Sequence, residues 1–120
     1  MAKQGFSKVS RLLGPSQYSK VFKQADLKLS AASTLILVSK STLSPRLGLV
    51  IAKKNVKSAV QRNRLKRLIR ESFRLRQEEF GTMDMVVLAR QGLDKKNNQE
   101  VLIQINLLFD ELIKKLNRVY

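Results

Sequence analysis

Arg62, Asn63, Lys66, Arg67, Arg70 and Arg74 recur three and four residues apart. On a helix of about 3.6 residues per turn, that spacing gathers them on one flank. The same stretch carries Leu65, Leu68, Ile69 and Phe73 as an apolar stripe, so the helix has an inner apolar face and a cationic face beside it. Like charges one turn apart, Lys66 with Arg70 and Arg70 with Arg74, cost such a helix roughly 0.3 kcal/mol each. A face kept at that cost points to a polyanionic partner. A guanidinium fork grips phosphate oxygens two at a time and also stacks on bases. Asn63 adds a neutral donor and acceptor suited to a base edge or a sugar hydroxyl. Two plainer readings compete. A merely solvated face usually mixes signs, yet only Glu71 interrupts this run before Glu78. A membrane-surface helix needs large apolar residues on a free face, and here they belong to the core stripe.

The remaining inventory holds no catalytic centre. The carboxylates are Asp26, Glu71, Glu78, Glu79, Asp84, Asp94, Glu100, Asp110 and Glu111. Neighbours such as Glu78–Glu79 and Asp110–Glu111 splay apart on a helix and do not share a metal unaided. Histidine is absent, which removes the commonest general base and metal ligand. Cysteine is absent too, so neither a disulfide nor a thiolate metal site is available. There is no glycine-rich phosphate loop. The early serines lack a base to activate them.

The elements that must position the basic helix are legible from pattern. The chain has 120 residues, 43% of them hydrophobic, which suits one domain. Lys and Arg number 24 against 9 Asp and Glu, a net charge of +15 that favours a nucleic-acid partner. Met1–Ser10 reads as a mobile basic tail without a signal peptide's apolar stretch. Gly14-Pro15-Ser16 opens a short helix with Tyr18, Val21 and Phe22 on one face. Ser33–Ser39 and Arg46–Ala52 read as strands of a hairpin around a turn at Leu43–Pro45. A further short strand near Lys28–Ser30 has weak sequence support. Lys53–Lys57 is a loop, and the helical pattern runs from Ala59 to about Phe80, closed by Gly81. Met83–Ala89 is another strand. After a loop, Asn97 and Glu100 suit a capping box opening a long terminal helix. The result is an α+β domain over residues 1–120, a mixed central sheet with helices packed on it in the order αβββαβα. The strand-helix-strand unit from Arg46 to Ala89 closes as a parallel pair, and base rates favour a right-handed crossover. No apolar run approaches the roughly 20 residues that span a bilayer. The expected address is the cytoplasm, with no membrane partner.

One stretch closely resembles the signature of the bacterial ribonuclease P protein family. It runs Leu47-Gly48-Leu49-Val50-Ile51-Ala52-Lys53-Lys54, then Arg62-Asn63-Arg64-Leu65-Lys66-Arg67, Arg70-Glu71 and Phe73-Arg74. Arg11-Leu12-Leu13 with Tyr18, Val21, Phe22 and Lys23 is similar to the family's N-terminal pattern. The resemblance spans nearly the whole chain and weakens after Gly92. It implies a left-handed crossover, against the base rate. It implies a non-catalytic protein subunit that binds a catalytic RNA and the 5′ leader of precursor tRNA, with cleavage chemistry and Mg²⁺ carried by the RNA. No cofactor bound by the protein alone and no obligate protein partner are expected. Carried over, Arg62, Asn63, Arg64, Lys66, Arg67, Arg70 and Arg74 contact the catalytic RNA. Tyr18 and Phe22, with Thr34 and Ile36 on the facing strand, line a cleft for the single-stranded leader, and Lys53, Lys54 and Lys66 edge it. Helical spacing alone puts Tyr18, Val21 and Phe22 in a core, whereas the resemblance implies partial exposure of both rings. This chain departs from the family in lacking glycine in Asn55-Val56-Lys57-Ser58 and in carrying Tyr at 18, where Phe is usual. The competing readings are a ribosomal or other structural RNA-binding protein, a nuclease acting alone and a DNA-binding regulator. The first explains the charge equally well but not the Arg-Asn-Arg helix beside an aromatic helix.

Overall fold

The computed structural model describes residues 11–41 and 44–119, without the side chains of 118 and 119. The tail read over Met1–Ser10 and Leu43 of the expected turn lie outside the described residues. The elements are α1 (Pro15–Gln24), β1 (Leu27–Ala31), β2 (Thr34–Lys40), β3 (Arg46–Val50), α2 (Ala59–Arg76), β4 (Met83–Ala89) and α3 (Asn98–Val119). Short 3-10 turns follow α2 and precede α3. The order αβββαβα is therefore observed, and the weakly marked strand near Lys28–Ser30 is a full strand.

The four strands form one mixed sheet in the order β1-β2-β4-β3. β2 is antiparallel to β1 and to β4, and β3 is parallel to β4. The parallel closure of β3-α2-β4 agrees with the expectation; the β2–β3 hairpin does not form. β4 lies between those two strands. The burial patterns give the reason. β2 and β4 are buried on both faces almost throughout, which is the requirement for central strands covered on both sides. β3 is shorter and sits at the edge.

Helices cover both faces. α1 packs on one, where Leu12 and Val21 meet Leu37 and Val86. α2 and α3 cover the other, where Leu65, Ile69, Phe73, Ile105, Phe109 and Leu112 pack on Ile36, Val38, Met85 and Val87. Phe80 joins the two larger helices, stacked on Phe73 at 5.4 Å and edge-on to Phe109 at 5.1 Å.

Helix starts are fixed by side chains. Ser58 Oγ accepts the Gln61 N–H at 3.3 Å. The Asn97–Glu100 capping box forms in both directions, at 2.8 and 2.9 Å. Arg46 and Asp84, direct register partners on β3 and β4, form a two-pronged ion pair at 2.8 Å. Asp84 is buried, and its hydrogen bonds raise the Arg46 guanidinium above its usual pKa.

Candidate nucleic-acid interface

Leu65, Ile69 and Phe73 bury one stripe of α2 completely. Arg62, Lys66, Arg70 and Arg74, one turn apart, therefore line a single flank, with Asn63 beside them. α2 itself packs on β3 at the edge of the sheet. Burial lowers the pKa of Arg70, the neighbouring Arg11 charge lowers it further, and Tyr18 of α1 opposes the shift. A guanidinium stays charged regardless.

The seven expected RNA-binding residues divide by what they already hold. Asn63 and Arg67 are exposed. Among the described residues, neither these two nor Lys66 makes an ion pair. Arg62 donates to the Val56 and Lys57 carbonyls at 3.0 and 2.9 Å, clamping the loop before α2. Arg74 pairs with Glu71, which holds that carboxyl below its usual pKa while Arg74 rises. Arg64 does not join the flank. Helix geometry turns it toward α3, where its guanidinium donates to Gln61 Oε1 (2.7 Å), Asn98 Oδ1 (2.6 Å) and the Asp94 and Lys96 carbonyls (3.3 and 3.0 Å). It is a brace between α2 and the β4–α3 loop.

The loop lacking glycine closes without it. The Asn55 and Val56 N–H groups both donate to the Ala52 carbonyl at 3.0 Å, and Asn55 Nδ2 reaches the Ala89 carbonyl at 3.0 Å. Among the described residues only Gly81 and Gly92 have positive φ, so this loop needs no conformation reserved for glycine. Val56 is buried, and Lys53, Lys54 and Lys57 project outward.

On the opposite face of the sheet, α1 borders an apolar cleft. Phe22 is 45% exposed, and Tyr18, one turn earlier, is half-buried. The Tyr18 ring lies directly against Gly48. A Cβ there would stand 2.6 Å from its Cε2. The hydroxyl accepts the Leu49 N–H at 3.2 Å, covering a donor on the edge strand. The ring is thus tethered at both ends. Leu35, Val50 and Leu88, all half-buried, complete the floor with Leu37 and Val86. Thr34 and Ile36 are not in this cleft. Both are fully buried on the other face, and the Thr34 hydroxyl donates to Gln104 Oε1 of α3 at 2.6 Å. Strand side chains alternate, so Leu35 and Leu37 are the β2 residues that meet α1. Gly48 was the missed signal, since a glycine inside a strand marks close approach of another group.

Among the described residues no three His, Cys, Asp or Glu side chains gather as a metal ion requires, and no helix is long and apolar enough to cross a membrane. What the geometry assembles is a cationic flank on α2 and, at the edge of β3 where Arg11 bridges Leu47, a tethered aromatic ring on Gly48. That arrangement defines an α+β protein with a basic helix flank, the kind of surface that suits a nucleic-acid partner.

Comparison with known proteins agrees. Residues 6–113 match the sequence model of the ribonuclease P family. The ribonuclease P protein component of Pseudomonas aeruginosa is 48% identical over 95% of this chain and 85% of its own. That of Pseudoalteromonas atlantica is 42% identical over 96% of both. Among solved structures, the ribonuclease P protein of Thermotoga maritima superposes with a TM-score of 0.70 at 30% identity, covering 82% of this chain and 94% of that one. The Staphylococcus aureus protein has the same fold, with a TM-score of 0.78 at 21% identity over 84% of this chain and 93% of its own. The chain belongs to the ribonuclease P protein family, whose members are tRNA-processing subunits.

Proposed function

We propose that residues 1–120 act as one RNA-binding domain, the non-catalytic subunit of a cytoplasmic ribonuclease P that removes the 5′ leader of precursor tRNA. In this reading Asn63, Lys66, Arg67, Arg70 and Arg74 dock the catalytic RNA. Arg62 shapes the loop that presents Lys53 and Lys54 at the edge of the leader cleft. Phe22 and the tethered Tyr18 ring stack on unpaired leader bases, each contact worth roughly 1–3 kcal/mol whatever the base. That tolerance suits a subunit meeting many leader sequences.

The observation that carries this reading is the edge of β3, where Arg11 bridges Leu47 and the Tyr18 ring lies on Gly48 with its hydroxyl on the Leu49 N–H. A cation and a tethered ring thus stand on neighbouring residues of one strand, so a single-stranded RNA crossing that edge meets phosphate contacts and stacking contacts in turn. Mg²⁺ is assigned to the RNA's phosphates. Asp84, Glu71 and Glu79 each answer an arginine, which supports a protein that stabilises the RNA's fold rather than cuts. No obligate protein partner is invoked.

The test is reconstitution with the organism's catalytic RNA and a precursor tRNA at low Mg²⁺, comparing RNA alone, protein alone and both. Cleavage only with both, weakening steeply as monovalent salt rises, is the expected result. Equal cleavage with and without protein across Mg²⁺ concentrations refutes the subunit role, and cleavage by protein alone refutes its non-catalytic character.

A further inference from the structure

Beyond the α2 flank and the α1 cleft, the chain presents a third polar surface. It is a wide, open hollow of about 560 Å³ between the first turns of α2 and the β4–α3 loop. Gln61, Asn97, Asn98 and Gln99 supply amides to it, and Lys95 and Lys96 supply charge. Asp94 is its one carboxylate, so with Arg64 the lining is net positive. Lys95 is exposed, Lys96 is half-buried, and exposed Arg90 stands just before the loop.

The Arg64 brace gives this surface a defined shape. One guanidinium holds two loop carbonyls, Asn98 and Gln61 at once, so the loop backbone that carries Lys95 and Lys96 is fixed relative to α2. No aromatic side chain lines the hollow, which sets it apart from the Tyr18–Phe22 cleft and from single-strand binding by stacking. The oxygens of Gln61, Asn97 and Asn98 already accept within the protein, and amide N–H donors beside cations match another ligand: the wide, shallow minor groove of folded RNA, with its 2′-hydroxyls and flanking phosphates.

We propose that this hollow is a second docking surface for the catalytic RNA, taking a duplex segment with Lys95 and Lys96 on its phosphates and the amides on its sugar hydroxyls. The inference rests on the subunit reading above. It assigns Arg64 a positioning role, holding the surface rather than touching RNA.

The test uses the full chain carrying Lys95→Ala with Lys96→Ala, and separately the exposed single change Lys95→Glu. Melting curves establish that each variant folds. Affinity for the catalytic RNA is then measured across monovalent salt, and the assembled enzyme's preference for precursor over mature tRNA is measured alongside. The expected double variant binds the RNA roughly fivefold or more weakly, with a log–log salt slope shallower by about 1.5, while the precursor preference is unchanged. Wild-type affinity and slope in both variants overturn the proposal. Loss of precursor preference with intact affinity for the catalytic RNA also overturns it, by giving the surface to the substrate. If wild-type protein itself fails to bind the RNA, the subunit reading falls and this inference with it.

Discussion

Gly48→Ala isolates the reasoning about the leader cleft in one methyl group. The added Cβ would sit 2.6 and 2.8 Å from Cε2 and Cζ of Tyr18 and 2.9 Å from Cδ1 of Leu12. The leucine end can turn away, but the Tyr18 ring is rigid and its hydroxyl is held by the Leu49 N–H. Overpacking of this kind costs about 1–3 kcal/mol, and displacing the ring forfeits a hydrogen bond worth about 1 kcal/mol. A total near 2–4 kcal/mol lowers the urea midpoint by about 1–2 M for a domain whose dependence on urea is about 2 kcal/mol per M. The displaced ring also weakens binding of a single-stranded leader by about tenfold. Tyr18→Ala in the same background supplies the control. With the ring gone, the two shortest clashes are removed, so the double variant loses less than the sum of the singles by more than about 1 kcal/mol. A Gly48→Ala protein within about 0.2 M of wild type refutes the packing argument, as does strict additivity with Tyr18→Ala.

Four further outcomes follow from the arginines and their partners. Arg64→Ala lowers stability by about 1–3 kcal/mol in the absence of RNA, whereas Arg67→Ala leaves the melt unchanged and makes the salt slope of RNA binding shallower by about 0.8; paired melts and titrations check both. Glu71→Gln releases Arg74 and removes a negative charge from the flank, so RNA binding tightens a few-fold at low salt and the gain vanishes at high salt. Asp84→Ala leaves Arg46 facing a buried site without its counter-ion, costing about 3–5 kcal/mol in urea unfolding.

Much of this architecture was legible from local pattern. Met83–Ala89 was read to the residue, because an apolar run flanked by Gly81 and Arg90 has one plausible strand. The capping box at Asn97 and Glu100 was equally plain, since its two hydrogen bonds are local. The misread features all depend on pairing across the sheet. A short link between Ser39 and Arg46 suggests a hairpin, and nothing nearby announces that β4 will come between. Thr34 and Ile36 face α3 rather than α1; β2 is apolar on both faces, so alternation alone does not say which side α1 will cover. Arg64 belongs to the family signature, yet most of its partners, Asn98 and two main-chain carbonyls, lie thirty or more residues away, invisible to helical spacing. Asp84 inside an apolar strand was a usable sign of a buried ion pair, and its register partner Arg46 opens the neighbouring strand.

The place of β4 also governs how the chain can be made. β2 and β3 leave the ribosome early and close together, but neither can complete its pairing until Met83–Ala89 follows. Before then β1 and β2 form at most a two-stranded ribbon, whose outer edge is apolar and open to any other strand. The α2 flank emerges before β4 and has no sheet to hold it in place. The α2 flank and the α1 cleft, the two proposed RNA surfaces, therefore come into being together, late in synthesis. A nascent chain stopped before residue 83 is strongly basic and has no finished binding site, so it meets cellular RNA only as a nonspecific polycation. Specific recognition begins when one central strand slides between two that were already waiting.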